Sequence, residues 1–533
     1  MTNTTVLVVG GGLNGLTAAA LLAHNDIACV LVERHPDTSI QYKFAGISPR
    51  SMEIFRSLGL EEEIRANRTG DQQAGAIARA RNLADPQIQW GGPAWLDASA
   101  LSPTQPATCD QHVLEPILRR YAERNGADVR FSTELVAFEQ DETVVRAEIR
   151  DMATGAKDAI SADYLIVADG ANGSLREKLE ISRGGAGGLQ HWMNVVFDTD
   201  MPPTIGGKRF TSCFVTDLNG TFTPREGGRW LLALQYFPEK GEKPQNFDEA
   251  KCRELIIRGA GRSDITTRLV DARSWEVAAL TARQFRQGRA FLVGDAAHVM
   301  PPTGAFGGNS GIHDAHNLAW KLAMVTQGYA GPSLLDSYDM ERRPVIEATL
   351  AQALARLQKW FEDPSKRLPP PVAIVEDYDV VLGQRYTAGV VARESTPDDH
   401  PFQKSTELSG RPGTRLPHFA VERAGQQISS LDLCDRDLLL LCADEAWCQA
   451  ADAVSQRLGM PLTCHALGAN GDLIDLDHRW PSALGVESGG AVLVRPDGFV
   501  AWRSTHGVPD PVQVMIETLD GCGFRTQAHE HHR

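Results

Sequence analysis

Long apolar runs are missing from this sequence. Although 42% of its 533 residues are hydrophobic, none of its segments reaches the roughly 18 consecutive apolar residues that a transmembrane helix needs. The N-terminus, MTNTTVLVVGGG, passes directly into a strand-like run and lacks the basic segment that opens a secretory signal peptide. We therefore expect a cytoplasmic protein that makes no contact with a membrane.

Cysteine pairs of the CxxC type are also missing. The chain has nine cysteines, and an odd number in a chain of this length argues against a disulfide framework. We expect most of them to be reduced and to serve as packing residues. The C-terminal HEHHR could bind a metal, but a polar chain end is the better interpretation, and we expect no metal site.

Positive charge is in deficit. The chain has 53 Lys and Arg residues against 68 Asp and Glu, a formal net charge of −15. Such a surface repels polyphosphates and anionic lipids, which disfavours nucleic acid and membrane partners. The length exceeds that at which a single core stops growing, so two or three domains are expected. The sequence leaves a homodimer open.

Glycine, by contrast, is concentrated where it predicts a function. The segment VLVVGGGLNGL places Gly10, Gly12 and Gly15 in GxGxxG spacing between a buried strand and an Ala/Leu-rich helix, and Glu33 follows the second strand. This strand–turn–helix context indicates a dinucleotide site, in which the helix N-terminus faces a pyrophosphate and the acid faces a ribose. Glu33 would repel a 2′-phosphate, which favours FAD or NAD over NADP. A purely structural turn is the alternative.

A second glycine-rich unit lies at 288–322, GRAFLVGDAAHVMPPTGAFGGNSGIHDAHNLAWKL. It predicts a strand ending near Asp295, a stiff Pro/Gly loop and a helix with a core face. That face comprises Ile312, Ala315, Leu318, Leu322 and Val325. We expect Asn309 or Ser310 to cap this helix. His298, His313 and His316 could ligate a metal, but ordinary packing roles are the better interpretation.

Three distant segments together resemble a known family. VLVVGGGLNGL, YLIVADGANGSLR and the 288–322 unit are similar, in that order, to the flavin-binding motifs of the FAD-dependent aromatic hydroxylases, the single-component flavoprotein monooxygenases. The closing VRPDGFVAWR resembles the branch that tailors aromatic polyketides in antibiotic biosynthesis and carries a C-terminal thioredoxin-like domain.

This resemblance implies an α/β fold of the glutathione-reductase type. Residues 1–180 and 286–365 would form the FAD-binding domain, and 181–285, with part of 70–110, an interleaved antiparallel sheet for substrate. Residues 366–417 would be a linker and a segment close to the substrate, and 418–533 the thioredoxin-like domain. Because that domain lacks CxxC, we expect it to have a structural role.

The resemblance also implies residue roles. Glu33 would bind the adenosine ribose, Gln111 the middle of a non-covalently bound FAD, Asp169 the ribityl and pyrophosphate region, and Asp295 a ribityl hydroxyl. The loop residues Pro301, Pro302, Gly304, Gly307 and Gly308 would position the isoalloxazine. The full set of predicted cofactor residues is Gly10, Gly12, Asn14, Gly15, Glu33, Arg34, Gln111, Asp169, Gly170, Asp295, Pro302, Gly307, Gly308 and Asn309.

Some positions depart from the family pattern. Gly173 stands where Ser is usual, Leu13-Asn14 replaces Pro and a small residue, and Lys43-Phe44 stands where Arg often precedes the AG pair. Lys cannot reproduce the planar fork of Arg. Lys43 and Phe44 are substrate candidates. Five aromatic residues of the sheet region are also candidates, although each could be a core residue: Trp192, Phe210, Phe222, Trp230 and Tyr236.

The implied activity is hydroxylation of a large, polycyclic aromatic substrate with NAD(P)H and O2, through a flavin C4a-hydroperoxide. The sequence assigns no catalytic side chain, because the cofactor would be the oxidant. It leaves open a Baeyer–Villiger oxygen insertion by the same cofactor, an FAD dehydrogenase or oxidase, and a flavin-binding scaffold. Substrate, regiochemistry and the choice between NADH and NADPH stay undetermined.

Overall fold

A computed structural model describes residues 2–69, 76–93, 96–360, 372–394, 400–468 and 471–524. The C-terminal HEHHR, parts of the predicted linker and part of the 70–110 segment lie outside these ranges. Two eight-stranded sheets and a smaller C-terminal sheet organise the described residues. The architecture is mixed α/β, as predicted. Among the described residues, no helix is both long enough and apolar enough to cross a membrane.

The first part of the chain builds most of a largely parallel sheet. Its strands run in the order β18-β19-β10-β1-β2-β7, and β8 and β9 form a hairpin beside β10. The elements are β1 Thr2–Val9, α1 Leu13–His24, β2 Cys29–Val32, β3 Gly46–Ile47, α2 Pro49–Ser57, α3 Glu61–Ala66, β4 Ala76–Ala80, β5 Gln89–Pro93, β6 Ala107–Thr108, α4 Gln111–Arg124, β7 Asp128–Arg130, β8 Thr133–Gln140, β9 Val145–Asp151, β10 Lys157–Val167 and α5 Leu175–Lys178.

Strand β1 lies in the middle of this sheet and is followed by a very tight turn. Its second half, Val6–Val9, is buried and pairs in parallel with both β10 and β2. Gly10 has φ +111°, and a Cβ there would lie 2.2 Å from the Ala168 carbonyl oxygen. A Cβ at Gly15 would lie 1.8 Å from the Gly10 oxygen. Only glycine allows α1 to start this close to the strand.

The second part forms the antiparallel sheet predicted for 181–285. The strand order is β20-β17-β11-β16-β15-β14-β4-β5, with β14 and β4 parallel. Helix α6 covers one face of this sheet. The elements are β11 Arg183–Thr199, β12 Thr204–Ile205, β13 Lys208–Arg209, β14 Ser212–Val215, β15 Gly220–Pro224, β16 Arg229–Tyr236, α6 Glu249–Ala260 and β17 Thr267–Ala282.

The chain then returns to the first sheet and adds two long helices. Helix α7 packs against α1 and carries the predicted core face, because Ile312, Leu318 and Leu322 are fully buried. The elements are β18 Arg286–Gln287, β19 Ala290–Leu292, β20 His298–Val299, α7 Phe306–Thr326, α8 Ser337–Trp360 and α9 Asp377–Val381.

The C-terminal part has a thioredoxin-like sheet in the order β24-β23-β26-β27. Strands β23 and β24 are parallel, and the β23–β26 and β26–β27 pairs are antiparallel. The elements are β21 Ala420–Arg423, β22 Gln426–Ser429, β23 Leu438–Cys442, α10 Glu445–Leu458, β24 Leu462–Ala466, β25 Ile474–Asp475, α11 Trp480–Leu484, β26 Ala491–Val494, β27 Val500–Ser504 and α12 Pro511–Gly521.

The cysteines differ in part from the sequence expectation. Cys448 and Cys464 form a disulfide, and the other seven are free thiols. The Cys442 thiol lies beside this disulfide, and burial raises its pKa to about 12. The pairing could not be predicted from spacing, because it depends on how α10, which carries Cys448, packs against β24, which carries Cys464.

A buried ionic network joins the C-terminal domain to α7 and α8. Glu341 of α8 accepts hydrogen bonds from Lys321 of α7 at 2.7 Å and from Arg495 at 2.7 and 2.9 Å. Asp497 pairs with Arg495, so the four charges balance, and the side chains are almost fully buried. Burial alone would raise the pKa of Glu341, but Arg495 and Lys321 hold it below its usual value. Asn317 also donates to Glu341.

We expect Glu341→Gln to lower the free energy of unfolding by about 3–5 kcal/mol, because it leaves Lys321 and Arg495 with excess buried charge. Glu347→Gln is the matched control, since Glu347 lies on the same helix and forms an exposed pair with Arg343. It should cost less than about 1 kcal/mol. Urea unfolding measures both, and equal losses in the two variants would contradict the role of the network.

Candidate functional site

The predicted cofactor residues converge at the carboxyl edge of the first sheet. Val9 of β1 pairs with Val167 of β10, which in turn pairs with Leu292 of β19. The segments that follow these three strands therefore lie side by side. They carry the glycine turn, Asp169 and Asp295. Such an edge, where parallel strands end, is the usual ligand site of an open α/β sheet.

The glycine turn leaves backbone accessible at the N-terminus of α1. The nearest atom to a Cβ built at Gly12 would be Glu115 Oε1, at 3.7 Å. Gly12 is also the N-cap of α1 and has no side chain to satisfy the first N–H groups of the helix. The N-terminus therefore presents a positive dipole end and accessible backbone to a bound anion, although the Leu13 N–H bonds to the Glu115 carboxylate in this structure.

Glu33 lies against this turn. Its carboxylate accepts hydrogen bonds from the backbone of Gly11 at 2.7 Å and of His35 at 2.8 Å. A Cβ at Gly11 would lie 2.7 Å from Glu33 Cβ, so this contact depends on glycine. Arg34 is exposed, and its charge acts on Asp169. The structure thus brings both residues to the edge where the strands end.

Asp169 has one oxygen available. Its Oδ2 accepts from the backbone N–H of Leu175 at 3.1 Å, whereas Oδ1 has no hydrogen-bond partner among the described residues. Burial raises its pKa. A Cβ at Gly173 would lie 2.0 Å from the carboxyl carbon of Asp169, so serine at this position would displace the carboxylate. The replacement of the usual Ser by Gly173 therefore allows the position that the Asp169 carboxylate has in this structure.

Asp295 lies in a cleft. Solvent reaches its side chain, yet enough protein surrounds it for burial to raise the pKa of the carboxyl, against the opposing charges of His298 and Lys43. A carboxylate that is accessible but poorly solvated gains from a hydrogen-bond donor that enters with a ligand. Lys43 is thereby placed close to the predicted cofactor edge.

Helix α7 starts at Phe306, earlier than predicted. Its N-cap, Ala305, has left-handed backbone geometry, with φ +54°. Gly304 also has positive φ, at +85°. A Cβ at Gly307 would meet Met300 only at 3.9 Å, so backbone N–H groups in the first turn can be approached closely. At Gly308 a Cβ would lie 2.4 Å from the ring of Phe44.

The prediction that Asn309 or Ser310 caps α7 is therefore wrong, because both lie inside the helix. The Asn309 side chain is buried and accepts hydrogen bonds from Ser48 N at 2.9 Å and Ser51 Oγ at 2.7 Å. It donates to the carbonyl oxygens of Gly46 and Ala305. This side chain ties the start of α7 to the start of α2.

Asn14 has a packing role that its position in the fingerprint does not reveal. A Cβ at Gly294 would lie 1.9 Å from Asn14 Nδ2, and one at Gly311 would lie 2.3 Å from it. The amide thus fits between the β19 turn and α7, and glycine is required on both sides. Its Oδ1 is buried and has no partner among the described residues.

Gln111 leads to a residue that the sequence analysis missed. Its Nε2 donates to Glu115 Oε1 at 2.6 Å, one turn later on α4. Glu115 also accepts from Ser39 N at 2.9 Å, and burial raises its pKa. Its i+4 spacing from Gln111 on a helix was the available signal, but only the fold shows that Glu115 faces Gly12.

These residues fit FAD. Two helix N-termini with glycine backbone offer donors for phosphate and ring atoms, while Asp169 and Asp295 offer acceptors for hydroxyl groups. The family described as "FAD binding domain" matches residues 3–353, and that described as "Aromatic-ring hydroxylase, C-terminal" matches residues 409–520. The chain belongs to the FAD-dependent aromatic-ring hydroxylases.

Relatives and solved structures agree with this family. The hydroxylase is 39% identical to tetracenomycin A2 monooxygenase-dioxygenase of Streptomyces glaucescens, over 98% of this chain and 97% of the relative. It is 36% identical to 4-methyl-5-nitrocatechol 5-monooxygenase of a Burkholderia species, over 96% of both. A structure of aklavinone-11 hydroxylase with FAD and aklavinone matches with a TM-score of 0.91 and 34% identity, over 98% of this chain and 100% of that one.

The antiparallel sheet of the hydroxylase separates the predicted substrate aromatics. Phe210, Phe222, Trp230 and Tyr236 pack in one core cluster with α6. Trp192 faces the opposite way, where it packs with Leu354 of α8. Side chains of a strand alternate between faces, and the sequence alone did not show which face α6 covers. The four α6-facing aromatics are core residues and are not brought to the cleft.

The face that carries Trp192 has its own aromatic and polar groups. Trp192 stacks with Trp275 at 6.0 Å between ring centroids. Trp192 Nε1 donates to Gln190 at 3.0 Å, and Trp275 Nε1 donates to Asn194 at 2.8 Å. Further along this face, Val196 and Leu231 form a small cluster with Tyr42. The sequence analysis missed these residues, although the period-2 spacing of Gln190, Asn194 and Val196 with Trp192 on β11 was a usable signal.

A polar cluster bridges the two sheets beside Tyr42. The Arg225 guanidinium lies 5.3 Å from the centre of the Tyr42 ring, and its Nη2 lies 3.4 Å from Asp110 Oδ1. His112 contacts the other side of Tyr42 edge-on, at 4.9 Å between ring centroids. Asp110 Oδ1, His112 Nδ1 and Arg225 Nε are buried without hydrogen-bond partners among the described residues. Such groups are available to a polar ligand.

The three histidines of the 288–322 unit are packed in the protein. His298 Nε2 lies 2.6 Å from Asp314, which also pairs with Arg342 at 2.7 Å. Burial opposes the charge on Asp314, but Arg342 and His298 lower its pKa to about 2. His313 is buried with Nε2 3.2 Å from Ser51 Oγ. Burial, with the nearby Arg342 and Arg50, lowers the pKa of His313 well below its usual value.

We expect acid to destabilise the hydroxylase through His313. The folded state keeps this imidazole neutral, whereas the unfolded chain protonates it near pH 6.5. Below that pH the unfolded state binds more protons, so the free energy of unfolding falls by about 1.4 kcal/mol per pH unit for one such histidine. His316, whose pKa burial lowers to about 3, acts in the same direction.

Urea unfolding between about pH 7 and pH 5 measures this slope. His313→Gln should make it shallower by the contribution of one histidine, and the exposed His35→Gln should leave it unchanged. A slope that His313→Gln does not alter would show that this imidazole is not held neutral.

Proposed function

We propose that this hydroxylase inserts one oxygen atom of O2 into a large, polycyclic aromatic substrate, with NADPH or NADH as reductant. The observation that carries the proposal is the start of α7, where the accessible backbone of Gly307 is followed by Gly308 against the ring of Phe44, on the helix that contacts the Asp295 turn. Aklavinone in the matched structure and the name of the tetracenomycin relative support a polycyclic substrate.

Each side of the cofactor site has a proposed task. Gly12 and the N-terminus of α1 bind the pyrophosphate, and Glu33 binds the adenosine ribose. Asp169 and Asp295 accept hydrogen bonds from the hydroxyl groups between the phosphates and the ring. The Gln111 side chain breaks its hydrogen bond to Glu115 and contacts the middle of the cofactor instead. When bound, FAD takes a hydride from the nicotinamide nucleotide and activates O2 for the substrate.

The loop before α7 orients the ring system. The left-handed geometry of Gly304 and Ala305 directs the first N–H groups of α7 towards its edge. Free N–H groups and the positive end of the helix dipole stabilise negative charge at that edge. Pro301 and Pro302 restrict the preceding backbone. The backbone of Gly307, Gly308 and Asn309 therefore positions the ring, and no side chain of the loop is needed as a nucleophile.

The substrate lies between this ring and the sheet face that carries Trp192. Trp275, Val196 and Leu231 provide an apolar wall that excludes water, and Asn194 orients polar substituents. We propose that residues 1–180 and 286–365 form the cofactor domain, that 181–285 with part of 70–110 forms this substrate domain, and that 418–533 forms the C-terminal domain. Lys43 and Phe44 lie where the two sites meet.

Two other outcomes use the same site. Baeyer–Villiger insertion also adds one oxygen atom, whereas an FAD dehydrogenase or oxidase adds none. Because one relative is a 4-methyl-5-nitrocatechol 5-monooxygenase, the compounds to be tested include single-ring catechols as well as polycyclic ones. The test is reduction of bound flavin by NADPH and by NADH without oxygen, with polycyclic phenols, quinones and catechols as ligands, followed by turnover under isotopically labelled O2.

Faster flavin reduction with a polycyclic ligand and one labelled oxygen atom in a ring hydroxyl would support hydroxylation. A labelled ester oxygen would instead support Baeyer–Villiger insertion. Because both reactions add one oxygen atom, the full structure of the product must be determined to tell them apart. A product without label would exclude both oxygenations and leave the oxidase. Flavin that neither nucleotide reduces with any ligand would contradict the proposal as a whole.

We expect Asp295→Ala to weaken FAD retention by about 1.5–3 kcal/mol, the range for a hydrogen bond to a charged group. The physical reason is the loss of a carboxylate acceptor that burial has already stripped of part of its water. FAD affinity of the apoprotein, measured by quenching of flavin fluorescence, reports the loss. Asp163→Ala, an exposed carboxylate on β10, is the control. Equal affinity in the two variants would contradict the role of Asp295.

A further inference from the structure

Three cysteine sulfurs meet in the thioredoxin-like domain. Cys442 ends β23, Cys448 lies in α10, and Cys464 lies in β24. The Sγ atoms all lie within 4.8 Å of one another, and among the described residues no other group of three or more metal-ligating side chains does so. The Cys442 Sγ is 3.6 Å from the Cys448 Sγ and 3.6 Å from the Cys464 Sγ. We call these three residues the cysteine cluster.

We propose that the cysteine cluster, when reduced, binds one thiophilic d¹⁰ cation of the Zn²⁺ and Cu⁺ class. The geometry supports this. Three sulfurs that share one ion at about 2.3 Å lie about 3.7–4.0 Å apart. The two distances from Cys442 are already close to that spacing. Opening the Cys448–Cys464 bond would bring the third distance towards it without rearranging the strands.

The surroundings of Cys442 favour a cation. Its thiol donates to the backbone oxygens of Asp444 at 3.3 Å and His465 at 3.6 Å. The carboxylates of Asp444 and Asp472 also act on it electrostatically. Negative groups around a buried sulfur disfavour a bare thiolate, but they stabilise a positive ion that the thiolate binds.

The arrangement does not favour disulfide exchange by Cys442. Its sulfur is equidistant from Cys448 and Cys464, so it lies beside the bond and not on its extension, where an attacking thiolate must approach. Cys448 and Cys464 are only half-buried, whereas Cys442 is buried. The Cys448–Cys464 pair can therefore be reached from solvent by a reductant or an ion. Cys442 supplies the third sulfur from the buried side of the pair.

The chemistry balances with ordinary cellular thiols. Two monothiol molecules give one hydrogen atom each to the sulfurs of Cys448 and Cys464 and become a disulfide themselves. A divalent cation then replaces the three thiol protons, which are released to solvent. The domain thus has two states, one closed by the disulfide and one closed by the ion.

Cadmium titration of the full-length protein with FAD bound tests the proposal. The protein is reduced with a phosphine, freed of reductant without oxygen, and titrated with Cd²⁺ while thiolate-to-metal absorption is recorded in the ultraviolet. One Cd²⁺ per reduced chain and none in the unreduced protein is the expected result. This absorption reports thiolates, and a variant that lacks residues 525–533 separates the HEHHR tail from the cluster.

Cys442→Ser and Cys448→Ser should each weaken Cd²⁺ binding on the order of 100-fold or more, since each removes a ligand. Cys252→Ser, a single thiol in α6, should bind like the unaltered protein. Retained FAD and an unchanged circular dichroism spectrum show that each variant is folded. Absence of thiolate absorption in the reduced protein, or binding that neither cluster variant weakens, would overturn the proposal.

Discussion

Glu341 is held by Lys321 of α7 and by Arg495 of the C-terminal domain, so one buried carboxylate joins three parts of the molecule. The Lys321–Glu341 and Arg495–Glu341 ion pairs are buried from water, and the fold can accommodate these charges only because they balance within the network. Helix α7 is therefore held in its C-terminal half by Lys321 of this network and in its third turn by Asp314, which pairs with His298 and Arg342.

The cofactor edge depends on that fixed helix. These contacts restrain α7 against sliding and rotation, and they thereby hold its N-terminus in place relative to the first sheet. Asn309 ties the same end to α2 through Ser48 and Ser51. Asn14, held between two glycines, sets the spacing of α1 and α7. The thioredoxin-like domain contacts these helices far from the candidate site, with Asp497 against Asn317 of α7 and Arg495 against Glu341 of α8.

Much of the geometry of the candidate cofactor site could be predicted because it is local. The close approach of Gly10 and Gly15, the position of Glu33 and the strand end at Asp295 depend on neighbours in one supersecondary unit. The family and the mixed α/β fold were predicted for the same reason and are confirmed. The sheet face proposed for the substrate was not predicted, because the side chains of a strand alternate between two faces and only the packing of α6 shows which one is core.

The sequence by itself determined the glycine turns, the carboxylates at strand ends and the core face of α7, because each follows from backbone sterics or side-chain period. Only the tertiary structure decided which partners these groups meet. The start of α7 at Phe306 and the placement of Trp192 apart from Trp230 depend on elements distant in the chain. The pairing of Cys448 with Cys464 depends on how α10 packs against β24. Contacts of that kind are set by how sheets and helices pack, which no local pattern records.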